Sequence, residues 1–271
     1  MTRTYVLTNH KGGVGKSTSA TNIALGMAAV LRQAKAKNSK VLLIDTDSQA
    51  HDTLVTTGRN DYGAQDSLYT VLMADRQNAT QTLLNCIVPS AWDDHLHVLP
   101  GSPLLEQAER ELQGTAGAPY RIADPLAKIA SGYAAIVIDT RPSFSLMTEM
   151  ALIASTDAII PIEPRYLETV GLLSVITKIN EIREGWRIPN LRVGGILVTK
   201  MDKRVKGHHH LLREIKSHPM LGKLLIGIIP MNEAVSYAHR SHRSIFAYDP
   251  QAAASQAYAR LVSRLVRQGV K

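Results

Sequence analysis

Tyr5-Val6-Leu7-Thr8-Asn9-His10-Lys11-Gly12-Gly13-Val14-Gly15-Lys16-Ser17-Thr18 decides how this chain folds. Four β-prone residues run into a glycine-rich stretch. The residues after it place Ile23, Leu25, Met27, Val30 and Leu31 at the apolar positions of a helix. Strand, glycine loop and helix in that order are the context of a phosphate-binding loop. Glycines at 12, 13 and 15 let successive backbone N–H groups turn inward around an anion, and the helix aims its positive dipole end at the same place. The residue types select a polyphosphate: Lys16 is the charge for the β- and γ-phosphates, and the Ser17 hydroxyl is an oxygen ligand for Mg²⁺. The ordinary motif asks for glycine at position 10, where this chain has His10, followed by a second lysine, Lys11.

Two more apolar runs end in carboxylates. Val41-Leu42-Leu43-Ile44 leads into Asp45-Thr46-Asp47-Ser48-Gln49, and Ala134-Ala135-Ile136-Val137-Ile138 into Asp139-Thr140-Arg141-Pro142-Ser143. A run of four or more apolar residues reads as a strand buried on both faces of a parallel sheet, with its acid delivered at the carboxyl end. Doubly wound sheets bind their ligands at that edge. The expected fold is therefore α/β: a doubly wound, mostly parallel sheet with helices on both faces. Asp139 follows the Walker B design, in which an acid at a strand end holds Mg²⁺ through water. No linker, repeat or low-complexity tract divides the 271 residues, and 45% are hydrophobic. A single domain over 1–271 is expected.

The first strand starts within five residues of Met1, which leaves no room for a signal peptide or an N-terminal helix-turn-helix extension. The apolar runs are too short to span a membrane. A cytoplasmic protein is the expectation. The one cysteine, Cys86, excludes an internal disulfide and a cluster bridged by paired cysteines. Lys and Arg number 31 against 23 Asp and Glu, a formal net charge of +8, so the field favours a polyanion. Lys200, Lys203, Arg204, Lys206, Arg213, Lys216, Arg240 and Arg243 gather this charge late in the chain. His208-His209-His210 lack the spacing of metal ligands on a helix and read as added charge on a phosphate-facing loop.

The string NHKGGVGKST resembles the ParA/Soj group of partition ATPases, in the wider deviant Walker A class that includes MinD and the nitrogenase iron protein. Similarity continues through Asp45-Thr46-Asp47-Ser48-Gln49, where the group usually has Asp-x-Asp-Pro-Gln, and through Ile229-Pro230-Met231-Asn232 and Ala247-Tyr248-Asp249-Pro250, covering about Arg3 to Leu265. The resemblance implies an ATPase using ATP and Mg²⁺. The loop Lys11, Gly12, Gly13, Val14, Gly15, Lys16, Ser17 and Thr18 would cradle the phosphates. Lys11 would reach across an ATP-bound homodimer, Asp47 would orient the attacking water, and Asp45 would stand near the metal. Pro230 and Asn232 would approach adenine. Ser48 in place of proline implies a more flexible loop. Arg141, where the group has proline, either faces the γ-phosphate or points to solvent.

The resemblance further implies non-specific binding of double-stranded DNA by the ATP dimer, nucleoid association, and stimulation by a ParB-type centromere-binding protein. The DNA surface is expected at Lys203, Arg204, Lys206, Arg213, Arg240 and Arg243, because Met231 and Ala234 occupy places where related chains have arginines. Three alternatives stay open. Thr199-Lys200-Met201-Asp202 matches a guanine-reading motif and argues for GTP. Tyr258, Leu261, Val262, Leu265 and Val266, with Arg260, Arg264 and Arg267 between them, describe either a basic membrane-surface helix of the MinD kind or a stripe packed on the sheet. The same ATPase could also position a protein cargo.

Overall fold

The apolar runs become strands because both of their faces are covered. In the computed structural model, which describes residues 2–165 and 168–269, eight strands form one sheet: β1 (Arg3–Leu7), β2 (Val41–Asp45), β3 (Val88–Pro89), β4 (Leu96–Leu99), β5 (Ala135–Asp139), β6 (Asp157–Ile162), β7 (Arg192–Met201) and β8 (Leu225–Pro230). Their order is β3-β4-β2-β5-β1-β6-β7-β8. All pairings are parallel except that of β3 with β4. This is the doubly wound, mostly parallel sheet expected. β1 lies in the interior of the sheet, and connections wind outward from it to both sides.

Alternate residues of each strand enter two separate cores. Val6, Leu42, Ile44, Ile136 and Ile138 pack into one layer, and Tyr5, Leu7, Val41, Leu43 and Val137 into the other. A strand with no exposed face cannot alternate apolar with polar, so these segments read as unbroken hydrophobic runs. Helix α1 (Lys16–Gln33) buries Ile23, Leu25, Met27 and Leu31 in the second layer.

The C-terminal helix Ala253–Gly269 lies in that layer beside α1. Its Tyr258, Leu261, Val262 and Leu265 are buried. Tyr258 shares a 3.0 Å hydrogen bond with Ser19, and Arg264 donates to the carbonyls of Leu225 and Ile226. The stripe is therefore a packing face, and the membrane-surface alternative loses the apolar side it needs. Among the described residues no helix is long and apolar enough to cross a membrane.

Candidate active site

β1, β2 and β5 end side by side. Leu7 stands opposite Asp139 in register, and Asp139 opposite Asp45, so the glycine loop and both carboxylate runs meet at one edge. Gly13 and Gly15 have φ of +73° and +81°, a left-handed backbone that glycine adopts without strain. These turns carry the chain from β1 into the first turn of α1. Lys16 is buried, 6% exposed, and its ammonium donates to the Lys11 carbonyl at 2.9 Å. Burial lowers its pKa, opposed by the charges of Asp139 and Asp47.

A cavity of about 500 Å³ opens over the loop, lined by Gly12, Gly13, Gly15, Lys16, Ser17, Thr18, Asp47, Ser48, Gln49 and Arg141 among others. It gathers the expected phosphate cradle, metal ligand and water-orienting carboxylate. Lys11 lines a second cavity, of about 390 Å³, on the flank formed by Glu163, Arg165 and Lys200. Pro230 and Asn232 line neither cavity. Asn232 is the N-cap of the helix Glu233–Arg240, its Oδ1 accepting from Ala234 N at 2.9 Å.

The three acids differ in role. Asp139 is buried and neither oxygen has a hydrogen-bond partner; burial raises its pKa well above the carboxylate range, and the neighbouring Asp45 adds to this. The Ser17 hydroxyl is near enough to act in the opposite direction, without meeting hydrogen-bond geometry. A buried carboxylate with unmet acceptors beside a hydroxyl fits a hydrated Mg²⁺. Asp45, equally buried, has its oxygens engaged: Oδ1 accepts from Asp47 N, and Oδ2 from Thr53 N at 2.9 Å and Thr53 Oγ1 at 2.8 Å. It ties down the loop that carries Asp47. Thr53 Oγ1 also accepts from Gly101 N. A Cβ on Gly101 would stand 2.9 Å from the Asp45 carboxyl carbon, so only glycine fits there. Asp47 remains half-buried on the cavity wall, with Oδ1 accepting from Gln49 N.

Several expectations are corrected. The Ser48 loop is tethered where flexibility was expected, because Ser48 Oγ donates to Glu106 at 2.9 Å. Arg141, left open between the γ-phosphate and solvent, lines the cavity and pairs with Glu109 at 3.0 Å. The three histidines lie in the first turns of the helix Lys206–Ser217 and not on a loop. His208 Nδ1 accepts from Asp202 N, and His209 Nε2 meets the Lys203 carbonyl, so two of them fasten the preceding turn. Thr199-Lys200-Met201-Asp202 serves the loop: Thr199 Oγ1 donates to the Val14 carbonyl and Lys200 Nζ to that of Gly13. Asp202 is held bidentately by Arg204, whose hydrogen bonds pull its pKa down to about 2.

The basic residues divide as well. The helix Lys206–Ser217 buries Leu211 and Ile215 in the first core layer, whereas Glu233–Arg240 buries Ala238 in the second. The helices that carry Lys206 and Arg213, and Arg240, thus lie on opposite faces of the sheet. Sequence position alone had suggested one patch. Thr53, Glu106 and Glu109 were not singled out from sequence, because they belong to no motif and their roles are side-chain contacts, with Asp45 and Gly101, with Ser48 and with Arg141, that only the fold brings together.

Fold and loop together define a P-loop nucleotide-binding domain. The chain matches the AAA domain family over residues 2–193. It is 30% identical to the chromosome partitioning protein ParA of Caulobacter vibrioides, over 97% of this chain and 94% of that protein. It is 27% identical to the sporulation initiation inhibitor protein Soj of Bacillus subtilis, over 99% of this chain and 100% of that one. Among solved structures it resembles cobyrinic acid a,c-diamide synthase from Mycobacterium smegmatis with bound ATP analogue and magnesium, with TM-score 0.75, 25% identity, and coverage of 99% and 96%. The chain belongs to the ParA/Soj family of partition ATPases.

Proposed function

We propose that this protein is a Mg²⁺-dependent ATPase that dimerises on ATP, binds double-stranded DNA without sequence preference, and hydrolyses ATP under stimulation by a ParB-type partner to partition DNA in the cytoplasm. The observation that carries this reading is the convergence of Lys16, Ser17 and Asp47 on one cavity above a loop of left-handed glycines. Phosphoryl transfer needs little covalent chemistry, so catalysis reduces to positioning and charge. Lys16 binds the β- and γ-phosphates, and Asp47 accepts a hydrogen bond from the attacking water and aligns it. Ser17 and Asp139 would hold Mg²⁺, which would supply neutralisation of the charge on the phosphate oxygens. The flank position of Lys11, outside the phosphate cavity, suits a role toward a second subunit.

Affinity for DNA is expected to follow the nucleotide state, because a two-fold dimer doubles the basic surface on one side. Arg204 is compensated by Asp202, whereas Arg240 and Arg243 have no carboxylate partner among the described residues. The test is a salt titration of DNA affinity with ATP, with ADP and with neither, on the wild type and on Arg240→Glu/Arg243→Glu. Tighter binding and a steeper slope with ATP, weakened by the double variant across all DNA sequences, are expected. Equal affinity in all three states refutes the gating. Pelleting with anionic vesicles in place of DNA would favour membrane positioning.

A further inference from the structure

Asp52 belongs to no motif, and its surroundings are unlike those of an ordinary helix acid. It sits in the first turn of α2 (His51–Thr57), the short helix that follows the Asp47 loop and packs on α1. Its side chain is 1% exposed, and neither carboxyl oxygen has a hydrogen-bond partner. Among the described residues, the carboxylates buried with both oxygens unmet are Asp52 and Asp139. Burial is the main influence on Asp52, and the charged groups that act on it are all carboxylates, Asp139 foremost, then Asp45 and Asp47. Lys16 acts on Asp139 and Asp47 and does not serve Asp52.

Such a pair is costly by itself. An unsatisfied buried carboxylate loses its hydration with nothing in return, and a second one beside it cannot ionise without a cation between them. Asp45 shows the contrast: at the same depth it has donors from Asp47 and Thr53. The acceptors left open on Asp52 and Asp139 need donors or a cation that the protein does not provide, and Ser17, at the head of α1, stands by Asp139. Among the described residues no three His, Cys, Asp or Glu side chains are placed to bind a metal directly. Contact through metal-bound water would supply donors to both carboxylates.

We propose that Asp52 is a second carboxylate of the Mg²⁺ site, accepting hydrogen bonds from metal-bound water together with Asp139 while Ser17 ligates the ion directly. Asp52 is then a positioning residue. Because α2 follows the loop bearing Asp47 closely, Asp52 would hold that loop in register with the metal site and so make the position of Asp47 dependent on Mg²⁺. Sequence alone hides this: an acid in a first helical turn is an ordinary surface feature that favours the helix dipole.

The inference rests on reading the glycine loop as a Mg²⁺–ATP site, and its test separates the two. Binding of a fluorescent non-hydrolysable ATP analogue is titrated with Mg²⁺ for wild type, Asp52→Asn and Asp139→Asn, alongside binding in EDTA and thermal stability with and without metal. Asp52→Asn is expected to raise the half-saturating Mg²⁺ by roughly 10- to 100-fold, the usual effect of losing a partner of a metal's bound water. Binding in EDTA should be unchanged, and melting without metal should occur at the same or a higher temperature. Asp139→Asn should act in the same direction. An unchanged Mg²⁺ midpoint in folded Asp52→Asn, or loss of folding in that isosteric variant, overturns the role of Asp52. A wild type that binds no analogue with or without Mg²⁺ overturns the ATPase reading instead.

Discussion

Thr53→Val should loosen the loop that carries Asp47 more than any other change of a single hydroxyl. The Thr53 hydroxyl donates to Asp45 Oδ2 at 2.8 Å and accepts from Gly101 N at 2.8 Å, in a place with no exposure to water. Valine matches the shape and removes both bonds. A lost hydrogen bond to a charged group costs about 1.5–3 kcal/mol, and a buried N–H left without an acceptor about 1–3 kcal/mol. The added methyl returns roughly 0.8 kcal/mol. Since the two losses share one site and do not add fully, the expected destabilisation is about 2–4 kcal/mol, a large part of the ~5–15 kcal/mol that holds a typical domain. Thr53→Ser keeps both bonds and should cost about 1 kcal/mol, the transfer energy of one methyl. Urea denaturation of the three proteins measures this. A valine variant within about 1 kcal/mol of wild type, or no worse than the serine variant, would refute the claim that Asp45 acts as the tether of this loop.

The two loop lysines should fail differently: Lys16→Ala loses nucleotide binding, whereas Lys11→Ala binds ATP and stays monomeric, as light scattering with ATP and Mg²⁺ would report. A stable Lys11→Ala dimer would contradict the cross-subunit role. Asp47→Ala should bind ATP with near wild-type affinity and lose turnover by at least about 100-fold, the lower range for a positioned base; wild-type phosphate release would move that role elsewhere. Burial, with His51 a smaller influence, lowers the pKa of His239, whose Nε2 has no partner. Its unfolded value is about 6.5, so the neutral ring stabilises the fold above that pH, and this is lost as pH falls through the lower folded value. His239→Gln should therefore flatten the decline in melting temperature between about pH 7 and pH 5, and an unaltered profile would rule the histidine out as its source.

The order of elements and the phosphate loop were legible in the residues themselves. A parallel strand buried on both faces must be apolar throughout, and a glycine loop must permit left-handed turns, so β1, β2, β5 and Gly12–Thr18 announce themselves locally. The apolar stripe of the last helix was equally plain, but what covers it was not: Tyr258 meets Ser19 across 239 residues. The same limit applies to charge. Lys206, Arg213 and Arg240 are near in sequence, yet their helices pack on opposite sides of the sheet. Asp45 and Asp52 carry the same carboxyl group at similar depth, and only the fold gives one its donors from Thr53 and Asp47 and leaves the other without a hydrogen-bond partner. Backbone preference and hydrophobic period are properties of neighbouring residues, and the sequence displays them directly. Whether a buried polar group is satisfied depends on partners brought from distant segments, and that is decided only when the sheet assembles.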